Sequence, residues 1–392
     1  MNMGNWKTCT IADLGMVVGG ATPSTKEAEN YDGGTIAWIT PKDLAGYSGR
    51  FISHGERDIT EIGLHSCSAQ MMPRHSVLFS SRAPIGYVAI AENELCTNQG
   101  FKSVVPNENT DYMFLYYLLL NNRRRIEHMG SGTTFKEVSG KTMRSIEVRV
   151  PESKEEQIRI SSILSTIDDK IEENERINKN LFQQALMLFE HEYVEENASE
   201  PQISLYDFAE YINGSAFRPD ELGDTGLPVI KIAELKSGIT DSTRFFDGDK
   251  GNRYLVANGD ILFSWSGNPE TSIDIFIWAD GNGILNQHTF NVKSKYNCPW
   301  FTYLLLKYHK PLFTKVASNK QTTGLGHVTA GDLKRLTFPF NLEQMHKFED
   351  EISPSMSLYY NNLLENRRLE SLRDILLPKL MSGEIDVSGI EL

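Results

Sequence analysis

Val138-Ser139-Gly140-Lys141-Thr142-Met143-Arg144-Ser145-Ile146 is written a second time, as Val328-Thr329-Ala330-Gly331-Asp332-Leu333-Lys334-Arg335-Leu336, 190 residues further on. The echo spreads outward from this pair. Leu78-Phe79-Ser80-Ser81 returns as Leu262-Phe263-Ser264-Trp265, and Asn98-Gln99 as Asn286-Gln287. Tyr117-Leu118-Leu119-Leu120 returns as Tyr303-Leu304-Leu305-Leu306, and Pro151 with Glu156-Gln157 as Pro339 with Glu343-Gln344. The order is kept while the spacing drifts between 184 and 190 residues. Solenoid units repeat every 20–50 residues or so, roughly a quarter of this period or less. The reading is therefore two whole domains of one fold, each followed by a helix. Two similar modules suit a ligand with two separated, similar sites, and a DNA duplex is the commonest such ligand.

Residues 1–150 and 201–338 are each electrically neutral, whereas 151–200 carry a net charge of -8 and 339–392 carry -5. The whole excess of acid in a chain of net charge -13 thus lies in the two segments that follow the repeated domains. Those segments would avoid phosphate, while the globular parts can present a basic face if their acids lie elsewhere. The plainer alternative is that helix surfaces are simply rich in glutamate. The length of 392 residues allows two or three domains with cores of their own. No apolar run is long enough to span a bilayer, and the opening residues form no signal peptide. The scattered Cys9, Cys67, Cys96 and Cys298 argue against a zinc site or a disulfide framework. A cytoplasmic protein with no membrane partner is expected.

The globular copies read as α+β, with strands at Thr35–Ile39, Val77–Ser80, Pro228–Ile232 and Asp260–Ser264, and helices at Tyr112–Ile126 and Trp300–Lys315. The linking segments differ in kind. From Ile160 the positions Leu164, Ile167, Ile171, Asn174, Asn178, Leu181, Ala185 and Leu188 alternate in steps of four and three, the seam of a coiled coil. Phe348, Ile352, Ser355, Tyr359, Asn362, Asn366, Leu369, Arg373, Leu376 and Leu380 repeat the pattern, with Pro354 and Pro378 expected to kink the helix or mark its ends. Asn174, Asn178, Asn362 and Asn366 would fix the register, because only one alignment satisfies a buried amide. Each seam needs a partner, and the expected fold pairs the two helices antiparallel, holding the globular domains apart. The alternative is that each helix packs on its own domain. The expected boundaries are 1–150, 151–200, 201–338 and 339–392.

Catalytic chemistry is hard to find. Gly140-Lys141-Thr142 lacks the earlier glycine of a phosphate-binding loop, position 135 being Phe135. Asn268-Pro269 is followed by Glu270 and does not complete a methyltransferase motif. Asp220, Glu234 and Lys236 imitate the PD-(D/E)xK nucleases, in which two carboxylates hold Mg²⁺ and a lysine orients water. Glu234-Leu235, however, aligns with Asp43-Leu44 of the first copy, where Ala45 stands in place of the lysine. A shared structural role explains the acid more simply.

Val150-Pro151 with Glu156-Gln157, the Glu-Asn-x-Arg runs at 173–176 and 365–368, Gln184-Ala185-Leu186 leading to Phe189, and Leu376-Leu377-Pro378-Lys379-Leu380-Met381-Ser382-Gly383-Glu384-Ile385 carry a likeness. Taken together and in order, they make the chain resemble the specificity subunit of type I DNA restriction–modification systems, over effectively its whole length. The resemblance implies two target recognition domains, each reading half of a bipartite, asymmetric sequence in double-stranded DNA. It implies helices that form the spacer and dock two methyltransferase subunits, with endonuclease/translocase subunits joining. It implies a chain with no catalytic residues, metal or cofactor of its own. S-adenosylmethionine belongs to the methyltransferase partner, and ATP and Mg to the endonuclease partner.

Base reading needs paired donors and acceptors on loops that reach the major groove. The first copy offers three polar groups: Ser80, Ser81 and Arg82; Asn98, Gln99 and Lys102; Thr133, Thr134 and Lys136. The second offers Ser264, Ser266 and Asn268 around Trp265; Asn286, Gln287 and His288; then Lys320, Gln321, Thr322, Thr323 and His327. The positions match while residue types differ, as in two readers of different half-sequences. The identical Asn-Gln pairs have an alternative role, bracing a shared turn. Arg123-Arg124-Arg125 either grips phosphate or ends a helix in solvent. Exposed glutamates such as Glu172 are expected to face protein partners. Two other readings stand beside this one: the nuclease, and a two-domain protein-binding scaffold.

Overall fold

The computed structural model describes residues 5–82, 84–131, 136–321 and 325–390. The chain divides into two compact units: Met1–Glu172 with Leu369–Leu392, and Glu173–Arg368.

The first unit is built on a five-stranded sheet. Its order is Gly15–Gly19, Lys102–Pro106, Val77–Phe79, Val88–Ala91, Phe51–Ile52. In the second unit the order is Ala209–Asn213, Thr289–Ser294, Ile261–Ser264, Asp274–Ile277. The first four strands of each sheet correspond one to one and pair antiparallel, so the sequence echo is an echo of topology. Each unit adds a short parallel pair, Trp38–Ile39 with Cys96–Thr97 and Val229–Ile230 with Ile284–Leu285. Central strands such as Val77-Leu78-Phe79 and Ile261-Leu262-Phe263 are buried on both faces, which is why they are continuously apolar rather than alternating.

The helix Tyr112–His128 begins at Asp111, whose carboxylate accepts the Phe114 N–H at 2.7 Å, and buries Phe114 to Leu119. Its counterpart was expected as one helix over 300–315. It is two, Pro299–Tyr308 and Lys310–Asn319, broken at His309 because Pro311 has no N–H to continue the ladder.

Two long helices, Lys154–Leu188 and Leu342–Ser382, contribute residues to both units. In the first unit the Arg373 guanidinium donates to Asp168 at 3.0 Å, and the Tyr117 hydroxyl donates to the same carboxylate at 2.5 Å. In the second, Asn174 donates to Asn366 at 2.8 Å and Asn362 to Asn178 at 2.9 Å, while Asn178 donates to the Tyr359 carbonyl at 3.0 Å. In every pair one number rises as the other falls, so the helices run antiparallel. The charged seam position Arg373 and the four asparagines thus each bond across the seam, while the Asn174 Oδ1 is buried without a hydrogen-bond partner.

The seam fails at its outer ends, for a reason of period. Leu188 is 37% exposed, and Phe189 is buried in its place. Ser355 is exposed, and Met356 is buried instead. Ala185 and Phe189, like Phe348, Ile352 and Met356, step by four because there each helix joins the core of the globular part, and Tyr193 follows on the wider π-helical turn Phe189–Glu195. Contact on a broad face follows the 3.6-residue turn, not the 3.5-residue supercoil. Both packing arrangements therefore coexist, helix on helix in the middle and helix on domain at the flanks. Neither Pro354 nor Pro378 ends the second helix. It stops at Gly383, at φ 77°, where Gly383 N–H bonds the Leu380 carbonyl and Glu384 N–H bonds that of Lys379.

Glu172 is not an exposed acid. The Arg50 side chain, 5% exposed, bonds both its oxygens, at 2.9 and 2.8 Å, and also pairs with Asp169. Burial alone would raise the Glu172 carboxyl, but the hydrogen bonds and charge of Arg50 outweigh it and hold the group below the ordinary glutamate range. Its stabilising contribution is full above the unfolded value near 4.3 and lost as pH falls through the lower folded value. Arg50→Met should therefore lower the melting temperature at pH 7 and flatten its fall on acidification. Melting curves at pH 7 and 3.5 check this. Asn178→Ala removes the acceptor of Asn362 and should cost about 1–3 kcal/mol, read as a lower denaturant midpoint.

Candidate nucleic-acid interface

In each copy the same main-chain hydrogen bonds join the strand end, the Asn-Gln turn and the described residues that follow the third polar group. In the first unit Ser81 N–H bonds the Gly100 carbonyl at 2.7 Å, and Val138 N–H bonds the Ser81 carbonyl at 2.9 Å. In the second, Trp265 N–H bonds the His288 carbonyl at 3.3 Å, and Val328 N–H bonds the Trp265 carbonyl at 2.9 Å. The strand end thus lies between the Asn-Gln turn and the last loop in both. One bridge extends the contact in the first unit, Arg82 opposite Glu137, and two extend it in the second, Ser266 opposite His327 and Gly267 opposite Gly326.

The Asn-Gln turn is built alike in both units. Asn98 N–H bonds the Ile39 carbonyl at 2.9 Å, and Asn286 N–H the Ile230 carbonyl at 3.0 Å. The backbone of Gly20 or Gly214 passes so close beneath that an added Cβ would lie 2.1 Å from the Thr97 or Asn286 carbonyl oxygen. Asn98 Oδ1 accepts the Gly100 N–H at 2.8 Å, and Asn286 is 7% exposed. The bracing role expected as the alternative fits both asparagines.

Burial corrects part of the expected contact set. Ser80 and Ser81 are fully buried. The Ser80 hydroxyl donates to the Pro84 carbonyl and accepts the Tyr87 N–H, both at 2.8 Å, and the Ser81 hydroxyl donates to the Gly100 carbonyl at 3.1 Å. Ser264 is also fully buried, and the Gln287 Oε1 is buried without a hydrogen-bond partner. Ser80, Ser81, Ser264 and Asn286 do not reach the surface of the folded chain, because main-chain pairing continues past Phe79 and Phe263 and covers the strand ends; Gln287 is half-buried. Thr133, Thr134, Thr322 and Thr323 lie outside the described residues.

The remaining residues form the surface. In the first unit these are half-buried Arg82, exposed Gln99 and Lys136, and Lys102, whose ammonium lies 3.3 Å from Glu137. In the second they are Ser266 and exposed Asn268, His288, Gln321 and His327. Asn268 Oδ1 caps the turn Pro269–Ser272, accepting from Glu270 and Thr271 at 3.0 and 3.1 Å. Lys320 is engaged by Asp332, whose carboxyl burial would raise; Lys320 and the Thr329 bonds hold it low. Arg125 of the arginine run donates to the Glu147 carbonyl at 2.9 Å.

The nuclease constellation does not assemble. Glu234, 6% exposed, accepts the Lys231 N–H at 3.0 Å, just as Asp43 accepts the Thr40 N–H at 2.7 Å. Both acids close a turn after equivalent strands. Asp220 is exposed and lies 3.6 Å from Arg218. Among the described residues no group of three or more His, Cys, Asp or Glu is placed to hold a metal ion.

The family model described as the type I restriction modification DNA specificity domain matches residues 3–183 and again 201–372. The chain belongs to this family. It is 32% identical to the specificity subunit of the type I restriction enzyme MjaIX of Methanocaldococcus jannaschii, over 98% of this chain and 95% of that one. It is 29% identical to the EcoR124I/EcoR124II specificity subunit of Escherichia coli, over 42% and 40% of the two chains. The fold matches the crystal structure of an S subunit from M. genitalium with a TM-score of 0.57, at 17% identity and over 97% of each chain. The protein is thus a type I specificity subunit, and the nuclease reading finds no support.

Some members of the surface escaped sequence reading. Thr22 donates its hydroxyl to Gln99, and Asn213 accepts from the Trp265 indole at 3.1 Å. Each sits beside the close-passing glycine, but the flanking residues differ so much that Gly20-Ala21-Thr22 and Gly214-Ser215-Ala216 do not align by eye. Gly20→Ala and Gly214→Ala should each destabilise their own unit by about 1–3 kcal/mol through overpacking. Faster hydrogen exchange confined to one Asn-Gln turn per variant is the expected measurement.

Proposed function

We propose that each unit of this specificity subunit reads one half of a bipartite, asymmetric target in double-stranded DNA. One observation carries the reading: equivalent main-chain hydrogen bonds assemble the same three-segment surface twice, and different side chains stand on it. Arg82, Gln99 and Lys136 offer donors, an amide and a cation, whereas Ser266, Asn268, His288, Gln321 and His327 offer amides, a hydroxyl and imidazoles. Such groups pair with base edges in the major groove, and the cations hold phosphate. The chain itself is non-catalytic in this reading. S-adenosylmethionine and adenine-N6 chemistry belong to two methyltransferase subunits, ATP and Mg to endonuclease/translocase subunits, and the assembly works in the cytoplasm.

The acid-rich helices supply the spacer and the docking faces. Leu372 and Ile375, on one face of the second helix, are 45% and 55% exposed, which supports a protein partner there rather than phosphate. The test of the main reading is methylome sequencing of cells carrying the subunit with its methyltransferase. Substitution of Arg82 or Lys136 should relax or weaken one half of the methylated motif, and substitution of Gln321 or Asn268 only the other. A lost bidentate base contact should cost about 1–3 kcal/mol. Any of these substitutions altering both halves equally would overturn the assignment of one unit to one half-site. Ile375→Asp should abolish co-elution with the methyltransferase while leaving the salt dependence of DNA binding unchanged, since that slope counts phosphates neutralised by Lys and Arg.

A further inference from the structure

We propose that Arg57 is an additional specificity-determining residue of the first unit, with a guanine edge as its ligand. This rests on the half-site reading above. The Arg57 guanidinium carbon lies 3.6 Å from the centroid of the Tyr31 ring. That ring cannot swing away: Tyr31 is 4% exposed, its hydroxyl donates to the Pro23 carbonyl at 2.7 Å, and it packs edge-on to Trp38 at 6.1 Å. Trp38 is fixed in turn by a 3.0 Å bond from its indole to the Ala21 carbonyl. Arg57 is exposed, and among the described residues no hydrogen bond or ion pair engages its guanidinium. A planar fork of five donors is therefore held over a rigid aromatic face with its bonding capacity intact.

The comparison within the chain sharpens the point. In the second unit Lys250 stands 5.2 and 5.4 Å from the Phe217 and Phe246 rings, but its ammonium is bound to Glu221 at 2.8 Å. Arg244 there donates to the Leu222 carbonyl at 2.7 Å. Those two cations are committed to the fold, whereas among the described residues Arg57, like Arg253 at 5.3 Å from the Tyr254 ring and Lys334 at 4.6 Å from the Tyr206 ring, is not, and of the three Arg57 lies closest to its ring.

Arg57 also stands beside the reading surface. With Trp38, Thr40, Lys42, Asp43 and Glu56 it lines a pocket of about 350 Å³. The pocket follows the strand whose Ile39 carbonyl holds the Asn98 N–H at 2.9 Å, and Pro41 packs against Gly100. Gly100, next to Gln99 in the chain, thus meets the residue that stands between Thr40 and Lys42 of the pocket.

Charge decides between base and phosphate. Lys42 is paired with Glu56 at 2.5 Å, and Asp43 accepts from Thr40 and from the Glu56 N–H. Two cations face two carboxylates, so a phosphate would meet as much repulsion as attraction. A G·C edge carries both signs of hydrogen bonding. Guanine N7 and O6 take the arginine fork, and the cytosine amino group donates to a carboxylate such as Glu56.

The test uses the complex of the full chain with its methyltransferase, comparing wild type, Arg57→Ala and Arg57→Lys. Arg57→Lys keeps the charge and loses the fork. Both variants should relax one G·C position in one half of the methylated motif, leaving the other half unchanged. Affinity for the original site should fall roughly ten- to a hundredfold, with the salt slope as in wild type and the melting temperature unchanged. A slope smaller by about one with the motif intact, restored by Arg57→Lys, would make the contact a phosphate and overturn the proposal. So would an unchanged motif and affinity in both variants. If wild type itself marks no bipartite motif, the half-site reading fails. If it does and the variants are silent, only Arg57 is misassigned.

Discussion

Two helices that share a polar centre have one alignment that pairs it, and the cores of both units build on those helices. A leucine seam tolerates sliding by a turn, because one apolar contact replaces another at little cost. The amide pairs Asn174–Asn366 and Asn178–Asn362 do not, since a shift of register leaves buried donors and acceptors unmatched. The Asp168–Arg373 pair, with Tyr117 on the same carboxylate, adds a charged checkpoint in the first unit. Apolar residues on either side of this polar stretch belong to the globular cores, so fixing the helices also fixes the surfaces against which Phe301 and Leu115 pack.

Much of this was legible in the sequence, because repetition is a strong signal. The doubled order of motifs gave away two copies of one fold, and the three-four spacing gave away the helices and their asparagines. The limits are equally physical. Periodicity cannot tell where a helix stops facing its twin and starts facing a domain, so the three-four spacing runs on through Leu188 and Ser355 where Phe189 and Met356 are the buried residues of the globular core. A proline reads as a stop, yet Pro354 sits inside a helix whose neighbours Ile352 and Met356 are held by tertiary packing.

At the candidate surface the sequence located segments well and side chains poorly. Ser80, Ser81 and Ser264 stand in a strand-end motif that looks polar and reactive, and all three turn inward. The hydroxyls of Ser80 and Ser81 satisfy themselves against nearby main chain and that of Ser264 is buried without a partner, so a serine in a polar run says little about exposure. Arg57 escaped for the opposite reason. Its partner Tyr31 lies far back in the chain, and nothing in the local run Gly55-Glu56-Arg57-Asp58 sets it apart from an ordinary solvated loop.

The bonds that gather the three segments run from peptide N–H to peptide carbonyl and ignore what each residue carries. Ser81 in one copy and Trp265 in the other occupy the same place, although a hydroxymethyl group and an indole share almost nothing chemically. A frame of this kind is indifferent to its own lettering. Over generations the residues standing on it can be rewritten, by point change or by exchange of a whole copy, without reopening the question of how the protein folds. New sequence preferences can then arise at its exposed positions while the main-chain bonds that gather the segments are kept.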